Sequence, residues 1–124
     1  MVATRPVQAA VEDLLNNREL SVAEAMDRHF SVAFRQCTDG KWEDRAAVIQ
    51  RIAQLRDTLE HATFTVHEEL SCGTRYAERH TIGLALCDGS AIAFEVHVFA
   101  ERDRAGRFLR IEEATRRIPD DVRG

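Results

Sequence analysis

The chain has 124 residues, 44% of them hydrophobic and 31% charged, with 17 Lys+Arg against 21 Asp+Glu and a formal net charge of −4. That length suits one domain with its own core, and the scattered, slightly acidic charge excludes the concentrated basic face that nucleic acid requires. No apolar run approaches the roughly 20 residues of a membrane span and the N-terminus lacks the apolar segment of a signal peptide, so a cytoplasmic protein with no membrane partner is expected. Three cysteines, Cys37, Cys72 and Cys87, lack CxxC spacing and predict neither a disulfide framework nor a zinc site.

Over residues 6–17, Val7, Val11, Leu14 and Leu15 recur at helical spacing behind Pro6, and Asn16-Asn17 end the pattern. Ser21 and Glu24 form a capping box for a second helix through Met26. Phe30, Val32 and Phe34 alternate as in a strand over 29–37, which the turn Thr38-Asp39-Gly40 closes. Asp44 caps a third helix whose apolar stripe is Val48, Ile52, Leu55 and Leu59, with Arg45, Gln50, Arg51 and Asp57 facing away. The period then becomes that of strands: one over 63–70, two between Arg75 and Phe99 folded at Asp88-Gly89, and a last one over 107–116 after a turn at 103–106. A charged tail, 118–124, is expected to be loose. The predicted fold is α+β, a cone-shaped curved antiparallel sheet with three N-terminal helices packed on its inner face, in a single domain spanning 1–124.

Side chains alternate between sheet faces, so hairpin register decides which residues meet. Read as a two-residue turn, Asp88-Gly89 pairs Cys87 with Ser90 and sets Arg79 opposite Val98, His80 opposite His97 and Thr81 opposite Val96. Arg79, Thr81, Phe94, Val96 and Val98 then face inward; His80, Glu95, His97 and Phe99 face outward. In the last hairpin, pairing Arg102 with Arg107 puts Leu109 and Ile111 beside Val96 and Val98, whereas pairing Asp103 with Arg107 puts Arg110 and Glu112 there. Burying an aliphatic side chain is worth roughly 1.5–3 kcal/mol, which selects the first register and turns Glu113 and Thr115 inward. A turn at Cys72-Gly73 brings Phe64, Val66 and Glu68 inward and sends Thr65, His67 and Glu69 outward.

On that reading Tyr76, Ile82, Leu84, Leu86 and Phe99 make the outer face apolar enough to predict a homodimer through it. His80, His97 and Glu112 also fall there, as a metal site or as a hydrated, dimer-facing cluster. Flat sheets seldom wrap a metal, so no metal ligands are assigned, and no cofactor is expected.

The order of elements, the TDGKWEDRAAV junction and the closing EVHVFAERDRAGRFLRIEEAT resemble the nuclear transport factor 2-like superfamily, in particular its SnoaL-like (polyketide cyclase-like) bacterial members, over about residues 6–117. The resemblance implies a pocket for a small, largely apolar molecule between helices and inner sheet face, and pairing through the outer face. Ketosteroid isomerases of the superfamily use an aspartate base, a tyrosine and a carboxylic acid; alignment through the junction puts Arg35, Val11 and Val98 at those positions, so that activity is not expected. The Asp-Arg-Asp set of the limonene epoxide hydrolases finds only a partial echo, in Arg79 and Glu113.

Arg79 and Glu113 are therefore the candidate catalytic pair, the arginine anchoring an anionic oxygen and the glutamate accepting a proton. Phe34, Arg35, Trp42, Phe64, Glu68, Thr81, Val96, Val98 and Ile111 are the candidate ligand-binding residues. Arg79 and Glu113 also read as a structural ion pair closing one end of the cone. Three readings of function stay open: a binder of a small apolar molecule, which leads; a cofactor-independent cyclase, isomerase or dehydratase; and a dimerisation domain with a filled pocket.

Overall fold

The computed structural model describes residues 5–120. Residues 121–124 of the expected loose tail, and residues 1–4, to which the expected absence of a signal peptide extends, lie outside the described residues. Within the described part of the tail, the Ile118 N–H donates to the Ala93 carbonyl at 2.9 Å.

Helix α1, Pro6–Val11, begins on proline, whose missing N–H costs nothing in a first turn, and continues as a π-helical segment, Glu12–Asn16. Asn16 ends it and does more: its side-chain amide both donates to and accepts from the backbone of Ala62, at 2.8 Å each. That is the pairing a neighbouring strand would offer, and it fastens the segment to the sheet. Helix α2, Val22–His29, opens with the expected capping box, Ser21 and Glu24 exchanging hydrogen bonds of 3.0 Å. Strand β1 is Phe30–Thr38, followed by a short β2, Lys41–Asp44, that the sequence reading missed inside the junction. Helix α3, Arg45–Thr58, is capped by the Asp44 carboxylate, which accepts from the Ala47 N–H at 2.9 Å. Strands β3 (Leu59–Cys72), β4 (Arg75–Leu86), β5 (Ala91–Arg102) and β6 (Phe108–Arg117) complete the chain.

The strands form one curved sheet in the order β2-β1-β6-β5-β4-β3. Three hairpins carry the chain from β3 back to β6, which lies beside β1 and runs parallel to it, so the sheet is mixed rather than wholly antiparallel. Pairing of β1 with β6 is irregular between Phe30 and Arg35. Phe30 and Phe34, of one parity, both turn inward, with ring centroids 4.6 Å apart and Phe30 5.5 Å from Phe108, while the irregularity lets Val32 between them leave that face. Val32, expected inside, is 88% exposed. No helix among the described residues is long and apolar enough to cross a membrane.

A guanidinium holds the helical layer together. Arg56 of α3 donates to the carbonyls of Leu14 (2.6 Å), Leu20 (2.6 Å), Asp13 (2.8 Å) and Asn17 (3.4 Å). These carbonyls cluster where the first helix ends, and of the four only that of Asn17 also accepts a backbone hydrogen bond outside the helices, from the Leu20 N–H at 3.2 Å.

All three hairpin registers differ from expectation. Between β4 and β5 the Gly89 N–H donates to Leu86 O (3.0 Å) and the Leu86 N–H to Ser90 O (2.9 Å), with Gly89 at φ +89°. The connection is thus a three-residue loop ending in a left-handed glycine, and Leu86, not Cys87, faces Ser90. Every pair moves by one: Arg79 meets His97, His80 meets Val96 and Thr81 meets Glu95. The faces of β4 exchange, so Tyr76, Glu78, His80 and Ile82 point inward while Arg79 and Thr81 point outward. Between β5 and β6 the disfavoured turn occurs, with the Asp103 N–H on Arg107 O at 2.8 Å, and a bulge between Glu101 and Arg102 then restores the expected faces. Ile111, Glu113 and Thr115 do point inward, although Val98 meets Glu113 rather than Ile111. Between β3 and β4 the turn is Gly73-Thr74, and a bulge between Val66 and Glu68 keeps Phe64 and Val66 inside but turns Glu69 inward in place of Glu68.

Candidate active site

Read across the strands, the inner face carries three rows. Glu69, Glu78, Val98, Glu113 and Thr38 make one; Tyr76, Ala100, Ile111 and Gln36 make the next; Val66, His80, Val96 and Thr115 make the third. Above them, under the first helix and α3, lies a cavity of about 330 Å³. Leu14, Leu15, Ile52, Leu55, Ile82 and Phe94 make most of its wall apolar, and Gln36, Thr38, Arg51, His80, Glu113 and Thr115 make one region of it polar. Arg51, expected to face away, lines this cavity while its guanidinium bonds Glu43 at 2.9 Å.

His80 is the centre of the polar region. It is 4% exposed, stacks on Phe64 with centroids 4.0 Å apart, and its Nδ1 is hydrogen-bonded to the buried carboxylate of Glu78. In the neutral tautomer that donates from Nδ1 to Glu78, Nε2 carries the lone pair. Nε2 has no hydrogen-bond partner among the described residues, and His80 contributes to the cavity wall. Glu113 forms the other half of the site. Its Oε1 accepts from Thr38 Oγ1 (3.0 Å) and Gln36 Nε2 (3.1 Å), while Oε2 accepts from no described residue. Burial pushes the Glu113 carboxyl above the usual range; the Thr38 hydrogen bond and the charges of His80 and Arg51 oppose this, and Asp39 adds to it. A carboxyl so placed holds its proton to a higher pH than a free one and can exchange it with a group in the cavity.

A pH dependence follows. Because the folded pKa of Glu113 is raised, the folded state holds more protons than the unfolded state between the ordinary carboxyl pKa and the raised one. Stability therefore falls as pH rises through that window. Glu113→Gln removes the effect, so its stability relative to the parent should grow as pH rises through that window and then level off, as read by urea unfolding at a series of pH values. A difference that stays constant or shrinks would contradict the raised pKa.

The structure sorts the residues expected at this site. Val96, Ile111 and Glu113 line the cavity. Phe34, Phe64 and Val98 belong to the core behind it, Phe64 as the plate under His80. Arg35 and Trp42 pack together away from the cavity, the guanidinium carbon 4.5 Å from the ring centroid, and Trp42 is 42% exposed. Glu68 and Arg79 face each other on the outer side, where Arg79 reaches Glu95 at 3.4 Å instead of Glu113. Thr81 is also outside, bonded to His67 at 2.7 Å. The expected pair of Arg79 and Glu113 is thus divided by the sheet, because the one-residue shift at Gly89 inverted β4. The same shift separates His80 from His97, and no group of three His, Cys, Asp or Glu suited to a metal occurs among the described residues.

His80, Glu78 and Tyr76 are the site residues that sequence reasoning missed. A signal for them existed in β4 itself: Tyr76, Ile82, Leu84 and Leu86 share one parity, and an inner face made of them carries Glu78 and His80 inward as well.

No family model and no curated protein matches the chain. Solved structures do resemble it. An LEH-like epoxide hydrolase of M. tuberculosis is 15% identical and superposes with a TM-score of 0.72 over 90% of this chain and 80% of its own. A protein of ketosteroid isomerase-like fold from Catenulispora acidiphila, solved with trimethylamine, is 11% identical with a TM-score of 0.68, covering 90% of this chain and 85% of its own. An NTF2-like protein of unknown function from Exiguobacterium is 14% identical with a TM-score of 0.67, covering 95% of this chain and all of its own. The chain has the nuclear transport factor 2-like fold. At such identities the fold is what is shared.

Proposed function

We propose that this single-domain protein binds a small, largely apolar molecule in the cone and moves a proton on it without a cofactor, His80 serving as base and acid and Glu113 as the second proton carrier. One observation carries the reading: a buried imidazole, oriented by a buried carboxylate, lines an apolar cavity that also holds a carboxyl of raised pKa. The volume of the cavity speaks against a dimerisation domain with a filled interior. An epoxide hydrolase among the similar structures is in keeping with acid–base work in such a cone.

The test is a panel of cyclic ketones, epoxides and polyketide-like esters, screened by thermal shift and then for turnover. Turnover should fall roughly 10²- to 10⁴-fold in His80→Gln with binding retained. Unaffected turnover in both His80→Gln and Glu113→Gln would sink the catalytic part, and failure of every probe to bind would sink the whole.

We further propose a homodimer in the cytoplasm, where the free thiols of Cys37, Cys72 and Cys87 stay reduced. The outer face is less apolar than expected, since Tyr76, Ile82, Leu84 and Leu86 are inside. It keeps a row of Leu70, Ala77 and Phe99 across three strands, with Leu70 76% and Phe99 70% exposed. Sedimentation velocity should show a dimer that Phe99→Glu converts to monomer; a parent chain monomeric at every concentration would refute the dimer.

A further inference from the structure

The hydrogen bonds of His80 lead away from the cavity. Its Nδ1 bonds Glu78 Oε2; the other oxygen of Glu78 lies 2.9 Å from the Tyr76 hydroxyl; and that hydroxyl lies 2.8 Å from Glu69 Oε2. The side chain of Glu69 is 36% exposed, and its remaining oxygen lies 3.4 Å from Arg5 Nε. A continuous line of four groups therefore runs from the cavity wall to solvent. Its middle is dry, Glu78 being 5% and Tyr76 4% exposed, with the Arg102 guanidinium 5.8 Å from the centre of the Tyr76 ring.

Hydrogen counting constrains this line. A phenol has one proton, yet Tyr76 Oη sits at bonding distance from two carboxyl groups. It can donate to only one of them, and the other contact is a hydrogen bond only if that carboxyl brings a proton of its own. The phenol keeps its proton, because burial, then the hydrogen bond to Glu69 and the charge of Glu78, raise its pKa. One proton shared between Glu69 and Glu78 would make both contacts hydrogen bonds, and transfer through Tyr76 would move it from one end to the other. A purely structural His80–Glu78 pair would need only one carboxylate; a second one on the same hydroxyl adds repulsion unless a proton is shared.

We propose that Glu78, Tyr76 and Glu69 form a proton relay connecting His80 in the cavity to solvent at the sheet edge. This rests on His80 acting as the base of the cavity. With the shared proton on Glu78 Oε1, uptake of a proton at His80 Nε2 sends the Nδ1 proton to Glu78 Oε2. The Oε1 proton passes to Tyr76, the Tyr76 proton to Glu69 Oε2, and Glu69 releases one to water. Each hop forms one bond to hydrogen and breaks one, no other reactant is required, and the reverse sequence returns a proton to His80. The relay lets the cavity stay apolar and filled by its ligand while its base exchanges protons with bulk water.

The test needs no ligand. In protein with isotope-labelled histidine, the exchange of the His80 Nδ1 proton with water is measured by NMR saturation transfer in the parent, Tyr76→Phe and Glu69→Gln chains. Neither substitution touches His80. Exchange should slow by on the order of tenfold or more in both, with the far-downfield shift of the Nδ1 proton retained as proof that the bond to Glu78 persists. Unchanged exchange in both variants would overturn the relay and show that the proton escapes through the cavity. Should Tyr76→Phe fail to fold, Glu69→Gln at the exposed end decides alone. A chain that turns over no substrate yet shows slowed exchange would fail the catalytic reading while keeping the relay; normal turnover with unchanged exchange would do the reverse.

Discussion

His80→Ala is expected to destabilise the protein by about 3–5 kcal/mol at neutral pH, the range for removing one partner of a buried, hydrogen-bonded ionisable pair. The side chains of His80 and Glu78 are 5% and 0% exposed, so Glu78 loses its imidazole partner in a site screened from bulk water. Loss of the ring also removes the plate-on-plate contact with Phe64. The companion variant His80→Phe with Glu78→Leu should recover most of the loss, because two well-packed apolar side chains have no charge to strand. Urea unfolding of the parent, single and double variants reads both quantities. A single-variant cost below about 1 kcal/mol, or a double variant no better than the single, would show that the pair is not held as described.

Arg56→Met is expected to cost about 3 kcal/mol, since it deletes charge-assisted hydrogen bonds to the carbonyls of Leu14, Leu20 and Asp13. In a chain of this size that corresponds to a fall in Tm of roughly 10 °C. Methionine fills similar volume, so the loss reports the hydrogen bonds and not a cavity. Arg56→Lys should restore little, because an ammonium cannot span carbonyls that a planar guanidinium reaches together. Amide exchange in α1 and the π-helical segment should accelerate more than in β4 and β5, as the clamp joins helix to helix and not helix to sheet. A Tm shift under about 2 °C would mean that water replaces the guanidinium at little cost.

Much of the architecture was legible because it rests on local chemistry. Pro6, the Ser21–Glu24 box and the Asp44 cap each act within a few residues, and each stands where the spacing placed it. Glu113 was also legible, although for a reason only half right: the turn expected to expose it does occur, and a bulge between Glu101 and Arg102 turns it back inside. Strand β2 was hidden because four residues between a turn and a helix cap show no periodicity.

The sequence by itself determined that there would be helices on a strand meander and that a hairpin would turn at Asp88-Gly89, since caps, turns and periodicity depend on near neighbours. Tertiary structure alone decided which face of β4 became the site. A glycine in the left-handed conformation serves a two-residue and a three-residue loop equally well, and the two differ by one residue of register. That single residue settles whether Arg79 or His80 enters the cavity. What selects between them is the burial of Tyr76, Ile82, Leu84 and Leu86 in or against a core drawn from the whole chain, an energy of several apolar side chains that no local turn preference can outweigh.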